Sequence, residues 1–376
     1  EVIDEWASSL DAGPNPAPPG ALIRFLEPGE SDSLSSVRRA FRRRVSETLG
    51  VVVVGGRTVI TTIDGTEVKL DIREREAPEL PPIINEALAK VRQNLRPDTL
   101  GKKNEEDEVE DEILVDPLEQ ARCAREVATG MFYRWVFPRG EPRPLIKTWY
   151  ARRKAWNSEL REKMLRGEIH LDSPKLCENA ARRAWGDDPS SPDLPEWRAD
   201  NWPAWRDIMD QVQPQQEAVR LHPYLVEDAA LWAQENTGII WYGMTEFAQW
   251  LAELTGLPIH EGGPGAGKKI MKERGDRSII ASIKSHARGR DRLQYSFNRQ
   301  LVINTLSSSR MWEQLLGRLH RRGQSSLEVV TEVYVHTREL RKSLEQAMRR
   351  CEYVSQTMGA DLKLLEGWSG DRDDDF

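Results

Sequence analysis

Residues 314–324 read Q-L-L-G-R-L-H-R-R-G-Q and follow an S-S-S turn at 307–309 and Trp312. Leu315, Leu316 and Leu319 recur at helical spacing, so one face can dock on a core while Arg318, Arg321 and Arg322 project elsewhere. The spacing predicts a helix that continues to Gly323, where a glycine can end it. A merely solvated basic helix would carry the same charge. It would have no use for glutamine at both ends, or for Gly317, which lets a backbone come close one residue before the first arginine.

Outward from this stretch the chain alternates short apolar runs with helical periods. Residues 227–236, 245–254 and 338–359 read as helices, the second of them capped by Thr245, and 238–242, 257–260, 278–283, 300–304 and 328–335 read as strands. Strands alternating with helices predict a parallel sheet in an α/β domain over 226–344, with function carried on loops at the strand ends. A C-terminal helix and a polar acidic tail, G-W-S-G-D-R-D-D-D-F, complete the segment 345–376.

The stretch itself resembles motif VI of superfamily 2 helicases, in the Q-x-x-G-R-x-x-R-x-G-Q form of Swi/Snf-type DNA translocases. Gln314, Gly317, Arg318, Arg321, Gly323 and Gln324 all match. The resemblance implies a RecA-like domain, with Arg318 and Arg321 reaching the triphosphate of an ATP held mainly by another lobe. It also places Gln314, Gly317 and Gln324 at that cleft. Phosphoryl transfer spreads negative charge over the γ-phosphate oxygens, which a fixed guanidinium stabilises better than a lysine would.

The resemblance extends over 226–344. I-I-W-Y at 239–242 falls at motif IV, and R-S-I-I-A-S-I-K-S-H-A-R-G-R-D-R-L-Q at 277–294 resembles the approach to motif V. That loop departs from the family's T-G-x-G-L-N-L: Ala287 and Arg288 stand where Gly and Thr are usual, and Arg292 looks inserted. Gly289 and Asp291 are carried over as links between the nucleic-acid track and the nucleotide cleft. Lys284, Ser285 and Arg290 are candidates for phosphate contacts, against the plainer reading of a polar strand-to-helix connection.

G-G-P-G-A-G-K-K at 262–269 fits the G-x-x-x-x-G-K of a phosphate-binding loop, but Lys269 occupies the place of the Ser or Thr that holds Mg²⁺. A basic loop presenting Lys268 and Lys269 to nucleic acid or solvent is the preferred reading. His286 and His320 have no second ligand at metal spacing, so no metal site is expected on this chain.

The N-terminal 225 residues are different in kind. Residues 1–116 read as a connector: a short helix at 2–10, a Pro-rich run, a helix at 35–49 bearing R-R-A-F-R-R-R, a strand pair within 51–72, a helix at 83–95 and an acidic linker. The arginine cluster from Arg38 to Arg44 suits either phosphates or plain solvent. Residues 117–225 read as a mostly helical insert rich in tryptophan between Trp135 and Trp205, rings that serve either base stacking or, the favoured reading, a small core. This insert resembles those of phage and mobile-element versions of the family.

The formal charge of −7 hides an asymmetry, since 268–350 carries 19 Lys and Arg against 8 Asp and Glu. Local positive charge is what polyanion binding needs, although the same charge can neutralise acidic neighbours. Three separated cysteines and the absence of a long apolar run fit a reducing cytoplasm and no membrane. The abrupt E-V-I-D-E-W start suggests a piece of a longer protein. The expectation is therefore the C-terminal lobe of an ATP-dependent translocase on double-stranded DNA, inactive alone, with ATP and Mg²⁺ bound mostly by a preceding RecA-like lobe. The alternative is a non-catalytic nucleic-acid-binding or interaction module that kept the fold.

Overall fold

A computed structural model describes residues 23, 25–47, 59–97, 113–114, 117–165, 171, 173–187, 196–287 and 292–370. The expected helix at 2–10, the V-V-V-V run at 51–54, the acidic run at 101–112 and the last six residues lie outside the described residues. The chain divides into two compact units, one of 1–77 with 229–376 and one of 78–228.

Eight strands are named in chain order: β1 (Lys69–Glu74), β2 (Met131–Val136), β3 (Gln215–Arg220), β4 (Ile239–Tyr242), β5 (Ile259–His260), β6 (Ile279–Ser282), β7 (Arg299–Val302) and β8 (Glu328–Val333). Six of them form one sheet in the order β1-β8-β7-β4-β6-β5, with every pairing parallel. A parallel strand is covered on both faces, so its residues run apolar without alternation. Ile239, Ile240, Trp241, Ile279, Ile280, Ala281, Leu301 and Val302 are accordingly all fully buried. The result is an α/β unit of the kind the sequence predicts, consistent with a RecA-like domain.

One buried polar chain crosses this sheet. Trp241 Nε1 donates to Gln300 Oε1 at 2.8 Å, and Gln300 Nε2 donates to Thr331 Oγ1 at 2.8 Å, which joins β4, β7 and β8 through side chains that see no solvent. Buried amides survive when each group has a partner, as these do.

The expected connector 1–116 divides. The described part of its expected strand pair, 59–72, does turn back on itself just before β1, through an antiparallel bridge between Thr61 and Glu67. The strand that follows, β1, then pairs in parallel with β8, from Lys69 opposite Glu328 to Glu74 opposite Val333. A β-branched run exposes the same hydrogen-bonding groups to a near or a distant partner, and here the sheet edge takes them. The outer side of β1 is covered in turn by Trp368 and Ser369, whose N–H reaches the Ile72 carbonyl at 2.8 Å. The start of the polar tail is thus packed, with the buried Trp368 directly after the helix Lys363–Gly367.

The helix Leu34–Ser46 spends part of its arginine cluster internally. Arg43 pairs with Glu30 at 3.0 Å and Glu27 at 3.3 Å, and Arg38 lies over the Tyr353 ring at 4.6 Å while donating to Gln356. The Arg43 hydrogen bond holds the Glu30 carboxyl down at about 2.

In the 78–228 unit, residues 131–136 correct the expectation of continuous helix. Gly130, at φ +92°, ends the helix Pro117–Val127, and M-F-Y-R-W-V pairs antiparallel with β3. A side chain at Gly130 would sit 2.2 Å from the His222 carbonyl oxygen, so only glycine allows this close approach. The tryptophans build a core, as preferred over base stacking. Trp149 meets Trp205 edge to face at 5.5 Å, Trp156 stacks on Trp197 at 5.7 Å, and Trp149, Trp156, Trp202 and Trp205 are buried. No helix among the described residues is long and apolar enough to cross a membrane.

Candidate functional site

Residues 314–324 lie in the unit of the six-stranded sheet. Ser308 starts its helix, accepting from the Met311 N–H at 3.4 Å, and the helix runs Ser309–Leu316. It stops at Gly317, earlier than the predicted Gly323, and 317–323 continues as a series of turns. The leucine spacing misleads because Leu319 is buried as fully as Leu315 and Leu316 even though it stands on a turn. Arg318 and Arg321 therefore belong to a folded loop, and their separation is set by turns instead of helical pitch.

This loop is fixed at several points. His320 Nε2 donates to the Val68 carbonyl at 3.0 Å, and the Gly323 N–H donates to the Thr61 carbonyl at 2.8 Å, so the turn preceding β1 holds it on one side. Gly323 itself has φ +83°, and an added Cβ would come 3.3 Å from the Tyr295 ring. Gln324 is wholly buried. Its Nε2 donates to the Leu319 and Phe297 carbonyls at 2.9 and 3.1 Å, and its Oε1 accepts from the Ser325 and Ser326 N–H groups at 2.7 and 3.2 Å. With its hydrogen-bonding groups engaged in this way, Gln324 braces the loop from inside.

Around that brace the cations differ. Arg318 is half-buried, with Nε donating to the Gln314 carbonyl at 3.1 Å, whereas Arg321 and Arg322 are exposed. Gln314 Oε1 is buried and has no hydrogen-bond partner among the described residues. Among the described residues it is a buried acceptor left open for an incoming donor. On the other side of the same helix, Glu313 Oε1 accepts from the Leu364 N–H at 3.1 Å, and burial pushes its carboxyl above the usual range. A cavity of about 430 Å³ adjoins His320, lined also by Ile60, Val68, Leu70, Glu67 and Glu366. The lining mixes the carboxylates of Glu67 and Glu366 with the cation of Lys69.

The second group of predicted residues stands at the opposite edge of the sheet, where the strands end. β6 runs directly into the one-turn helix Ile283–His286, which presents Lys284 to solvent and leaves Ser285 half-buried. β5 leads into the loop 261–265 and the short helix Ala266–Ile270, with Lys268 and Lys269 exposed. The two meet, because a Cβ at Gly262 would lie 2.7 Å from Ser285 Oγ and His286 Nε2 donates to the Glu261 carbonyl at 2.9 Å. His260 pairs with Glu273 at 3.1 Å, and burial holds its imidazole below the ordinary value. Both of these histidines thus have an assigned partner, and among the described residues no group of His, Cys, Asp and Glu could hold a metal ion.

Gly289, Arg290 and Asp291 lie outside the described residues. The chain resumes at Arg292, whose φ of +78° is a left-handed turn at the position the sequence marks as inserted. From there Leu293 and Phe297 enter the core, and Phe297 supplies the carbonyl that Gln324 holds. The motif V-like segment therefore leaves the strand-end edge beside Lys284 and arrives at the strand-start edge beside the arginine loop. Sequence reasoning missed the contribution of Thr61 and Val68 to this site, since nothing local in 59–68 announces a partner 250 residues on. Arg322 carried a signal, its position next to Arg321, but no motif position singled it out.

No protein-family model matches the chain, and no curated protein does. Among solved structures it is similar to T4 UvsW, at 12% identity and a TM-score of 0.27 over 36% of this chain and 32% of that one. It is also similar to the C-terminal part of the Fun30 ATPase domain, at 13% identity and a TM-score of 0.34 over 74% of this chain and 89% of that one. The match thus spans about a third of the UvsW chain.

Proposed function

We propose that this chain supplies the second lobe of a Swi/Snf-type superfamily 2 motor that hydrolyses ATP to move on double-stranded DNA. The observation that carries the reading is the arginine loop: Arg321 and Arg322 are displayed to solvent on a backbone fixed to Thr61, Val68 and Phe297. A preorganised guanidinium costs little to reorient when charge develops on a γ-phosphate. ATP would be bound mainly by a preceding lobe carrying the phosphate loop and the Mg²⁺ ligands, with Arg318 and Arg321 meeting it as the lobes close. Lys268, Lys269, Lys284 and Ser285, at the other edge, suit DNA phosphates, and residues 283–298 connect the two edges.

In a protein carrying both lobes, Arg321→Ala should lower DNA-stimulated ATP hydrolysis by about 10³-fold or more, with DNA affinity retained. Wild-type turnover in that variant overturns the reading. The second reading, a non-catalytic nucleic-acid module, draws on the same exposed lysines. It requires that Lys284→Glu abolish binding in a protein with no DNA-stimulated hydrolysis at all.

A further inference from the structure

We propose that the solvent face of the helix Arg143–Leu165, in the 78–228 unit, is a contact surface for the phosphate backbone of duplex DNA. Residues 139–154 carry six Lys and Arg against one acid, Glu141. The helix buries Trp149, Trp156 and Leu160 on one side, which fixes the side that faces out. Arg143, Lys147 and Lys154 are exposed along that outer side, Arg152 borders it, and Arg139 stands on the turn that leads into the helix. From Arg143 to Lys154 the helix rises about 16 Å. Duplex DNA carries one phosphate per roughly 1.7 Å of its axis, so a face of this length can meet several at once.

These cations are not spent inside the protein. Arg139, Arg143, Lys147 and Arg152 make no ion pair and no side-chain hydrogen bond among the described residues. The acids close to them in sequence are held by backbone amides instead. Glu141 Oε1 accepts from the Gln213 N–H at 3.4 Å, and Glu159 accepts from the Asp200 and Asn201 N–H groups at 2.7 and 2.8 Å. The contrast is with the helix Leu34–Ser46, where Arg43 is neutralised by Glu27 and Glu30. The start of the helix Arg143–Leu165 adds to the field: its first turn holds no acid, and Arg143 and Lys147 crowd the end where the macrodipole is positive. That arrangement costs stability unless an anion lies there.

The rest of the surface selects the partner. Among the described residues of 139–158 no large hydrophobic side chain is exposed, whereas a protein partner would want an apolar centre to its interface. The rings of the helix, Trp149, Tyr150 and Trp156, pack into the tryptophan core, so unstacked bases find no platform on it. What faces out is charge, with only the short side chains of Thr148 and Ala151 between. Such a face reads phosphates and not bases, and its binding is salt-sensitive. The motor reading is not needed for this, because the arginine loop and Lys268, Lys269 and Lys284 belong to the other compact unit.

The test is fluorescence anisotropy of the full chain with a labelled DNA duplex of mixed sequence, in the absence of nucleotide, over a series of salt concentrations. The double variant Arg143→Ala/Lys147→Ala should weaken binding about tenfold and flatten the slope of log affinity against log salt by about 2. A matched control is Arg338→Ala/Lys342→Ala, at the same spacing on the helix Arg338–Met358 with Glu339 between them, and it should bind as wild type. Both pairs are exposed, so the variants keep the fold, which near-UV circular dichroism checks. Four results overturn the proposal. They are no binding by the wild type at low salt, unchanged affinity and slope in folded Arg143→Ala/Lys147→Ala, an equal loss in the control, which would make the effect one of net charge, or tighter binding of polyglutamate than of the duplex through the same two residues, which would assign the face to an acidic protein. Arg321 takes no part in these measurements, so failure here leaves the motor reading untouched.

Discussion

Gln324 donates to the Phe297 carbonyl at 3.1 Å, and through this bond the end of the arginine loop holds the segment that follows the motif V-like turn. The same side chain serves Leu319, Ser325 and Ser326. Gln324→Leu would leave several of these buried groups unpaired at once, and each orphan costs about 1 to 3 kcal/mol. A stability loss of about 3 kcal/mol in urea unfolding is expected. A loss below about 1 kcal/mol would show that the loop is held by other contacts.

Arg318 and Arg321 should separate when each is replaced by alanine. Arg321 is exposed, so its loss should change stability by less than about 0.5 kcal/mol while removing turnover in the two-lobed protein. Arg318 is half-buried and bonds the Gln314 carbonyl, so Arg318→Ala should cost about 1 kcal/mol as well as activity. Thermal unfolding of both variants beside their ATPase rates checks this. Equal stability of the two would contradict the burial difference.

The chain Trp241–Gln300–Thr331 offers a sharper test of the sheet. Gln300→Leu strands a buried indole N–H and a buried hydroxyl, and should destabilise by about 2 to 4 kcal/mol. Adding Thr331→Val to that variant should recover part of the loss, because it deletes one of the stranded groups. Strict additivity in the double variant would mean that the two side chains are not coupled.

Glu313 gives a pH dependence whose sign follows from burial. Its carboxyl titrates higher in the folded protein than the ordinary value of about 4.3. The folded state thus holds the proton more tightly, and Glu313 subtracts stability as pH rises from the unfolded value through the raised folded one. Above that window the penalty is constant. Urea midpoints from pH 4 to 8 should fall more for wild type than for Glu313→Gln, which can still accept from the Leu364 N–H. A wild-type curve that rises relative to the variant would reverse the assignment.

Much of the sheet was legible in the sequence, for a physical reason. Runs such as I-I-W-Y and I-I-A-S are buried on both faces, so their composition alone marks them. The position of β1 was not legible, because V-K-L-D-I would serve equally in a local pair and its partner lies beyond residue 327. M-F-Y-R-W-V was hidden behind the helical period before it, with Gly130 the only sign of the break. At the site, the cationic side chains were legible and their support was not: turns at 317–323 keep Leu319 in the core, so the apolar spacing mimics a helix that has already ended.

The pairing of Lys69 with Glu328 also sets an order of events during synthesis. β1 leaves the ribosome long before β8 exists, and at about 5 to 20 residues per second the wait is on the order of tens of seconds. Throughout it, an edge that finally closes one side of the sheet must stay clear of other strands. Its charged alternates Lys69, Asp71 and Arg73, with Glu74 at its end, are suited to that interval, since charged side chains discourage pairing along an exposed edge. The final sheet closes only when the last third of the protein arrives.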